Sequence, residues 1–302
     1  MKTIKPYLRW VILGGTLFFL VKTFKDHWHE VAGTRINAHG WTMLATALIM
    51  TLLAHIWSGW VWTWILKMFK QPVSNKWALQ VYLKTNIAKY LPGNVWHFYG
   101  RISAVTRAGG SLGAASISVL LEPLLMAAAA LAIALSSSGL GWVTTASTIR
   151  IWGLQILSLA VVLLGIHPKV LNAVVQRLSR SKGNFTDTGS VQIEHYPLLP
   201  LFGEMGFLVL RGTGFLLTLL ALMPVNFAQI PPLLSAFSFA WLMGLVVPGA
   251  PGGLGVFEAT AIALLDQQFS AGLILTVVAL FRVVSILAEV GAAGMAVGSE
   301  RV

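Results

Sequence analysis

The chain contains no cysteine. A disulfide framework, a thiol nucleophile and a thiolate metal centre are therefore excluded. Charge is scarce too. Asp, Glu, Lys and Arg together make up 10% of the residues, against about a quarter in an ordinary soluble domain. No glycine-rich stretch has the pattern of a nucleotide-cradling loop, and no hydrolase, kinase or metal constellation is present. Ser136 to Ser138 have no base partner in the pattern, and His27, His29 and Glu30 supply too few ligands for a metal centre. The reading is therefore of a protein that is not an enzyme and uses no cofactor or metal. Its energy source is expected to be an ion gradient or a lipid gradient.

What fills the sequence instead is apolar. The hydrophobic set reaches 56% and the mean hydropathy is +0.77. Several apolar runs attain the ~20 residues needed to cross a bilayer core. This composition predicts an all-α, polytopic integral membrane protein. The net charge of +11 is explained by basic loops facing anionic lipid, so no nucleic-acid partner is expected.

Six segments are expected to span: 8–24, 40–66, 112–137, 149–166, 197–222 and 271–297. The first has a basic start (Lys2, Lys5, Arg9) but no small-residue cleavage site after it, so it reads as a retained helix. With the N-terminus in the cytoplasm, 15 of the 21 basic residues fall on that side, and the loops 138–148 and 223–231 carry no charge. This bias predicts a multi-pass protein of the cytoplasmic membrane with both termini inside. Lys67, Lys70, Lys76 and Lys84 belong to that bias. Segment 74–90 has Lys76, Gln80 and Lys84 at a spacing of four beside Trp77, Val81 and Leu83, and reads as an amphipathic helix in the interface.

Two apolar stretches are broken by Pro and Gly: 91–110, around "LPGNVW", and 232–266, around "VVPGAPGGLGVFEA". Broken backbone at membrane depth survives only when buried in protein or lining a wet cavity. Both stretches are therefore expected to be re-entrant hairpins, turning at Pro92 and Gly93 and at Pro248, Gly249, Pro251, Gly252, Gly253 and Gly255. Leu66 to Pro92 and Leu222 to Pro248 are each 26 residues. The chain thus divides into two units of span, span, hairpin, span, 1–143 and 144–302, within a single transmembrane domain. An odd number of spans per unit inverts the second, which is the plan of many secondary transporters.

These residues also carry a resemblance. "KYLPGNVWHFYGR" followed by "SISVLLEPLL", then "VPGAPGGLGVFEA" followed by "ALFRVVS", resembles the transmembrane region of lysylphosphatidylglycerol synthases. That family also contains stand-alone flippase-like membrane proteins. The resemblance implies a lipid-moving membrane domain. No soluble stretch exceeds about 30 residues, so the aminoacyl-transfer domain of those synthases is expected to be absent.

Ionisable residues at bilayer depth are costly, at ~2.5–3.5 kcal/mol each on insertion scales, and mark candidate sites. Here they are Glu122, Arg211, Glu258 and Arg282, with Glu204 and Glu289 seven residues from the two arginines on the same helical faces. Glu122 lies 30 residues after Pro92 and Arg282 lies 31 after Pro251, which places an acid and a base at matching points of the repeat. Arg is the side chain suited to a phosphate. A structural reading, with Glu204–Arg211 and Arg282–Glu289 neutralising each other or pairing across helices, competes with it. At the first hairpin, Lys89 and Arg101 are expected to flank the turn at headgroup depth. There Asn94 offers a helix start, and His97 and Tyr99 offer hydrogen bonds or an interfacial belt. The expected function is movement of a phospholipid or lipid-linked headgroup across the bilayer. The competing class is a membrane-embedded transferase or accessory subunit with Glu122 or Glu258 as base. Expected partners are the substrate lipid, the bilayer and, in an oligomer, further copies of the chain.

Overall fold

The computed structural model describes residues 25, 36–90, 95–139, 148–173, 193–247, 253 and 255–299. Among them, every regular element is helical: α1 Ala38–Met68, α2 Asn75–Asn86, α3 Trp96–Arg107, α4 Leu112–Gly139, α5 Thr148–Gly165, α6 Leu198–Leu220, α7 Ile230–Val246, α8 Val256–Leu265 and α9 Ala271–Gly298. Short 3-10 turns, Ile87–Tyr90 and Phe227–Gln229, extend α2 and precede α7.

Local chemistry fixes the starts. The side chains of Asn37, Ser74 and Ser270 accept hydrogen bonds from the backbone N–H groups of Gly40, Trp77 and Leu273, satisfying donors that a helix leaves open at its first turn. Ahead of α7, Asn226 and Gln229 form a reciprocal capping box. Pro231 and Pro232 then occupy the first turn of α7, where a missing N–H does no harm.

Among the described residues, five helical stretches are long and apolar enough to cross a membrane: Ala38–Met68, Leu112–Ser137, Leu198–Leu220, Phe227–Val246 and Ala271–Gly298. The chain is a multi-pass membrane protein. Four of these stretches coincide with expected spans. The expected span 8–24 lies outside the described residues. The expected span 149–166 is α5, whose described apolar part, Gly153–Gly165, falls short of a crossing length. Phe227–Val246 was expected as one limb of a broken segment; it is twenty residues long because the two prolines begin the helix and the next break comes only after Val246.

α1 and α6 form the central antiparallel pair. A side chain at Gly203 would meet Val61 and Trp64, one at Gly214 would meet Thr51, and one at Gly40 would meet the Ala221 carbonyl. Small residues let the two backbones approach closely. Trp57 Nε1 also donates to the Gly203 carbonyl at 2.7 Å. Polar contacts gather at one end of the bundle: Lys70 to Glu194, Ser111 N–H to Gln71, and Gln80 to Ser299. The Gly40–Ala221 approach marks the opposite end.

The helices on either side of each break lie against each other. Gly100 of α3 sits where a side chain would press on Thr85 of α2, with 3.0 Å to Thr85 Cγ2. Gly253 sits where a Cβ would lie 3.0 Å from the Gly244 Cα of α7. α2 is not simply laid on a surface as its pattern suggested. Its Ala78, Val81, Tyr82 and Leu83 are buried in the same apolar core as α1 residues Trp62, Ile65 and Leu66, because Tyr82 has a polar partner to reach inside.

Candidate functional site

The site is built along α9. Arg282 and Glu289 lie seven residues apart, nearly two turns or ~10 Å, on one face. They do not serve as each other's partner of choice. Glu289 Oε1 accepts from Lys89 Nζ at 2.7 Å, and Lys89 lies in the 3-10 turn at the end of the first broken segment's entering limb. Arg282 Nε donates to Glu258 Oε1 in the second broken segment, and its Nη2 reaches the Gly253 carbonyl at 3.3 Å. Glu258 Oε2 in turn accepts from the Gly255 N–H at 2.7 Å. Gly253 and Gly255 adopt φ +74° and +81°, the left-handed region that glycine enters freely. Gly255 is thus held by a carboxylate that α9 anchors, and the same arginine reaches Gly253.

A second pair has the same form with the charges exchanged. Arg101 Nη1 on α3 donates to Glu122 Oε2 on α4 at 2.6 Å. Tyr82 donates to the other oxygen at 2.7 Å, and Ser58 lies 2.7 Å from the Tyr82 hydroxyl. The Arg101 guanidinium lies 3.7 Å from the Tyr82 ring centroid. Arg101 was expected at headgroup depth. It is 1% exposed, buried within the protein against the Glu122 carboxylate.

The third group surrounds Arg211 on α6. Its Nη1 is 2.9 Å from His55 Nε2 on α1, and that nitrogen is 3.1 Å from Glu289 Oε1. The guanidinium lies 4.9 Å from the Trp241 ring and 5.1 Å from that of Phe281, so cation–π contacts hold its faces. Three buried donors here have no hydrogen-bond partner among the described residues: Arg211 Nε, Trp241 Nε1 and Thr51 Oγ1. Thr51 precedes His55 by one helical turn. Buried polar atoms are nearly always satisfied, so the cation's own free Nε and the two neighbouring donors form a place that could receive an anion's oxygens.

Glu204 stands apart. It is 0% exposed and neither carboxyl oxygen has a hydrogen-bond partner among the described residues. The expected pairing with Arg211 is not made, since Arg211 turns to His55.

Among the remaining expected site residues, His97 is buried beside Phe98, and its Nδ1 has no hydrogen-bond partner among the described residues. Tyr99 is 64% exposed and packs edge-on to Trp96, away from the charged groups. Both Trp96 and Tyr99 line an apolar groove of about 430 Å³ with Val95, Phe98, Ile102 and Leu120. Pro92, Gly93, Asn94, Pro248, Gly249, Pro251 and Gly252 lie outside the described residues. His55, Tyr82 and Thr51 were not anticipated. The available signal for His55 was a histidine placed mid-way along an apolar span, which the rule for intramembrane ionisable groups covers. Among the described residues, no three His, Asp or Glu side chains group as a metal site. No protein-family model matches the chain, and no curated protein matches it.

Proposed function

We propose that this protein carries a lipid phosphate across the bilayer, with the headgroup passing the Arg211 site and the acyl chains remaining in lipid. The observation that supports this most is the set of unsatisfied donors, Arg211 Nε, Trp241 Nε1 and Thr51 Oγ1, beside a surplus of positive charge. Lys89 and Arg211 share one carboxylate, Glu289. A phosphate entering there replaces its water with a guanidinium and neutral donors. The exposed groove beside α3 is apolar and suits hydrocarbon.

In this reading the two broken segments are re-entrant hairpins that enter from opposite faces and meet the last span near mid-depth. The paired motifs Arg101–Glu122 and Glu258–Arg282 then sit at matching positions of an inverted repeat, 1–143 against 144–302, with signs exchanged. The polar end near Lys70 and Ser299 is the cytoplasmic face, and the membrane is the cytoplasmic one. A transferase would need Glu122 or Glu258 available as a base, yet each is bound to an arginine, so transport is the better-supported class. The test is movement of a labelled phospholipid in reconstituted liposomes, with Arg211→Lys as the diagnostic variant. Unchanged movement in that variant removes the site from the mechanism.

A further inference from the structure

Among the described residues, eight charged side chains are drawn wholly or largely into the bundle in balance: Lys89, Arg101, Arg211 and Arg282 against Glu122, Glu204, Glu258 and Glu289. Seven of them have a hydrogen-bonded partner. Glu204 does not. An ionised carboxylate without hydrogen bonds in a dry interior is among the least favourable groups a protein can hold. Its surroundings offer little relief. From α4 it faces Glu122, a like charge, and from α3 Arg101, which already serves Glu122. From α2 it faces Tyr82, whose hydroxyl donates to Glu122, and on α1 the His55 Nε2 lies between Arg211 and Glu289. α7 carries no charged residue, and on α9 Arg282 and Glu289 are tied to the two broken segments.

From this geometry we infer that Glu204 is a proton-binding site and that its proton travels with the anionic headgroup. The charge count supplies the reason. With Glu204 ionised, the eight groups sum to zero. With Glu204 protonated, the interior carries one positive charge in excess, matching the single negative charge of a phosphodiester. Proton and phosphodiester together leave it neutral. Glu204 is seven residues from Arg211 on α6, ~10 Å along the helix, close enough for charge at one site to be felt at the other in a low-dielectric interior. By linkage, the proton strengthens anion binding and the anion strengthens proton binding by the same factor. This deepens the transport reading and rests on it for the identity of the anion.

The test uses the whole purified protein. Binding of dihexanoyl phosphatidylglycerol, a soluble monoanionic phosphodiester lipid, is followed calorimetrically in buffers of different ionisation enthalpy. At pH values above that at which the lipid-free carboxyl ionises, the wild type is expected to take up a proton on binding, and its affinity to fall by up to tenfold per pH unit. Glu204→Gln keeps the shape of the side chain and is expected to bind with no proton uptake and no pH dependence. Lipid binding without proton uptake in the wild type, or uptake persisting in Glu204→Gln, overturns the inference. Dimethyl phosphate binding equally well, with the same uptake, overturns a lipid as the source of the anion. No binding at any pH overturns the anion reading of Arg211. Infrared spectroscopy without lipid then still decides the proton site. The carbonyl band of a protonated carboxyl is expected to appear in the wild type as pH is lowered, over the range in which proton uptake on binding ceases, and to be absent from Glu204→Gln; its absence from the wild type at every pH overturns the assignment. Unchanged thermal melting of Glu204→Gln secures the comparison.

Discussion

Arg282 and Glu289 share one face of α9 and take their partners from different broken segments, Glu258 from the second and Lys89 from the first. The last long helix therefore fixes the separation of the two segments at about two turns. Each pair bridges elements, so loss of one member strands a charge in the interior. Glu289→Ala leaves Lys89 and His55 without their carboxylate, and Arg101→Ala does the same to Glu122. Each single change is expected to destabilise the protein by ~3–5 kcal/mol, as broken buried pairs do. The double change Arg101→Met/Glu122→Met is expected to be milder than either single alanine change. Thermal unfolding in detergent measures this; additive losses in the double variant would show that the pair is not coupled.

Gly253 combines φ +74° with a neighbouring backbone 3.0 Å from where a Cβ would sit. Gly253→Ala is therefore expected to destabilise the protein clearly, because backbone cannot yield as a side chain can. Gly291, on α9, has nothing within 4 Å of its Cβ position. Gly291→Ala is expected to be neutral or to stabilise by ~0.4–1 kcal/mol through helix propensity and the unfolded chain. Melting temperatures of the two variants side by side check the contrast.

The surface pair Lys70–Glu194 is the control for the buried ones. The hydrogen bond and charge of Lys70 hold the Glu194 carboxyl below its ordinary range. Such a lowered group contributes its stability above the unfolded value and loses it as pH falls through the folded one. The pair is exposed to solvent and screened. Lys70→Ala is expected to change melting only slightly at neutral pH, where the pair is formed, with that small difference vanishing in acid and abolished by salt.

Orientation is tested on the cysteine-free chain. Lys169→Cys and Asn226→Cys place single thiols at exposed positions. An impermeant reagent added to intact cells is expected to label the second and spare the first. The reverse pattern contradicts the positive-inside assignment and the inverted repeat as drawn.

Much of this was legible in the residues. Apolar run length located four of the five long helices, and Pro and Gly located both breaks. The cost of charge in hydrocarbon singled out Glu122, Arg211, Glu258 and Arg282. Partner choice was not legible. A spacing of seven puts Arg282 and Glu289 on one face, but which helix brings the counter-charge depends on tertiary packing between residues 24 and 200 positions apart. Arg101 looked like a headgroup anchor because the run beside it is aromatic and basic, and only its approach to Glu122 draws it inside. His55 was masked by a 31-residue apolar helix. α7 outgrew its expected limb because Pro231 and Pro232 stand where a helix tolerates proline.

Whether Arg211 receives a lipid phosphate is measured most directly by bleaching of fluorescent phospholipid by an impermeant reductant in proteoliposomes. Wild-type protein is expected to expose inner-leaflet label that protein-free liposomes protect. Arg211→Lys keeps the charge but loses the planar fork; it is expected to fold with unchanged melting and lose most of that movement, while Lys70→Ala retains it. Wild-type liposomes that protect the inner leaflet as protein-free ones do, or Arg211→Lys moving lipid at the wild-type rate, would contradict the account.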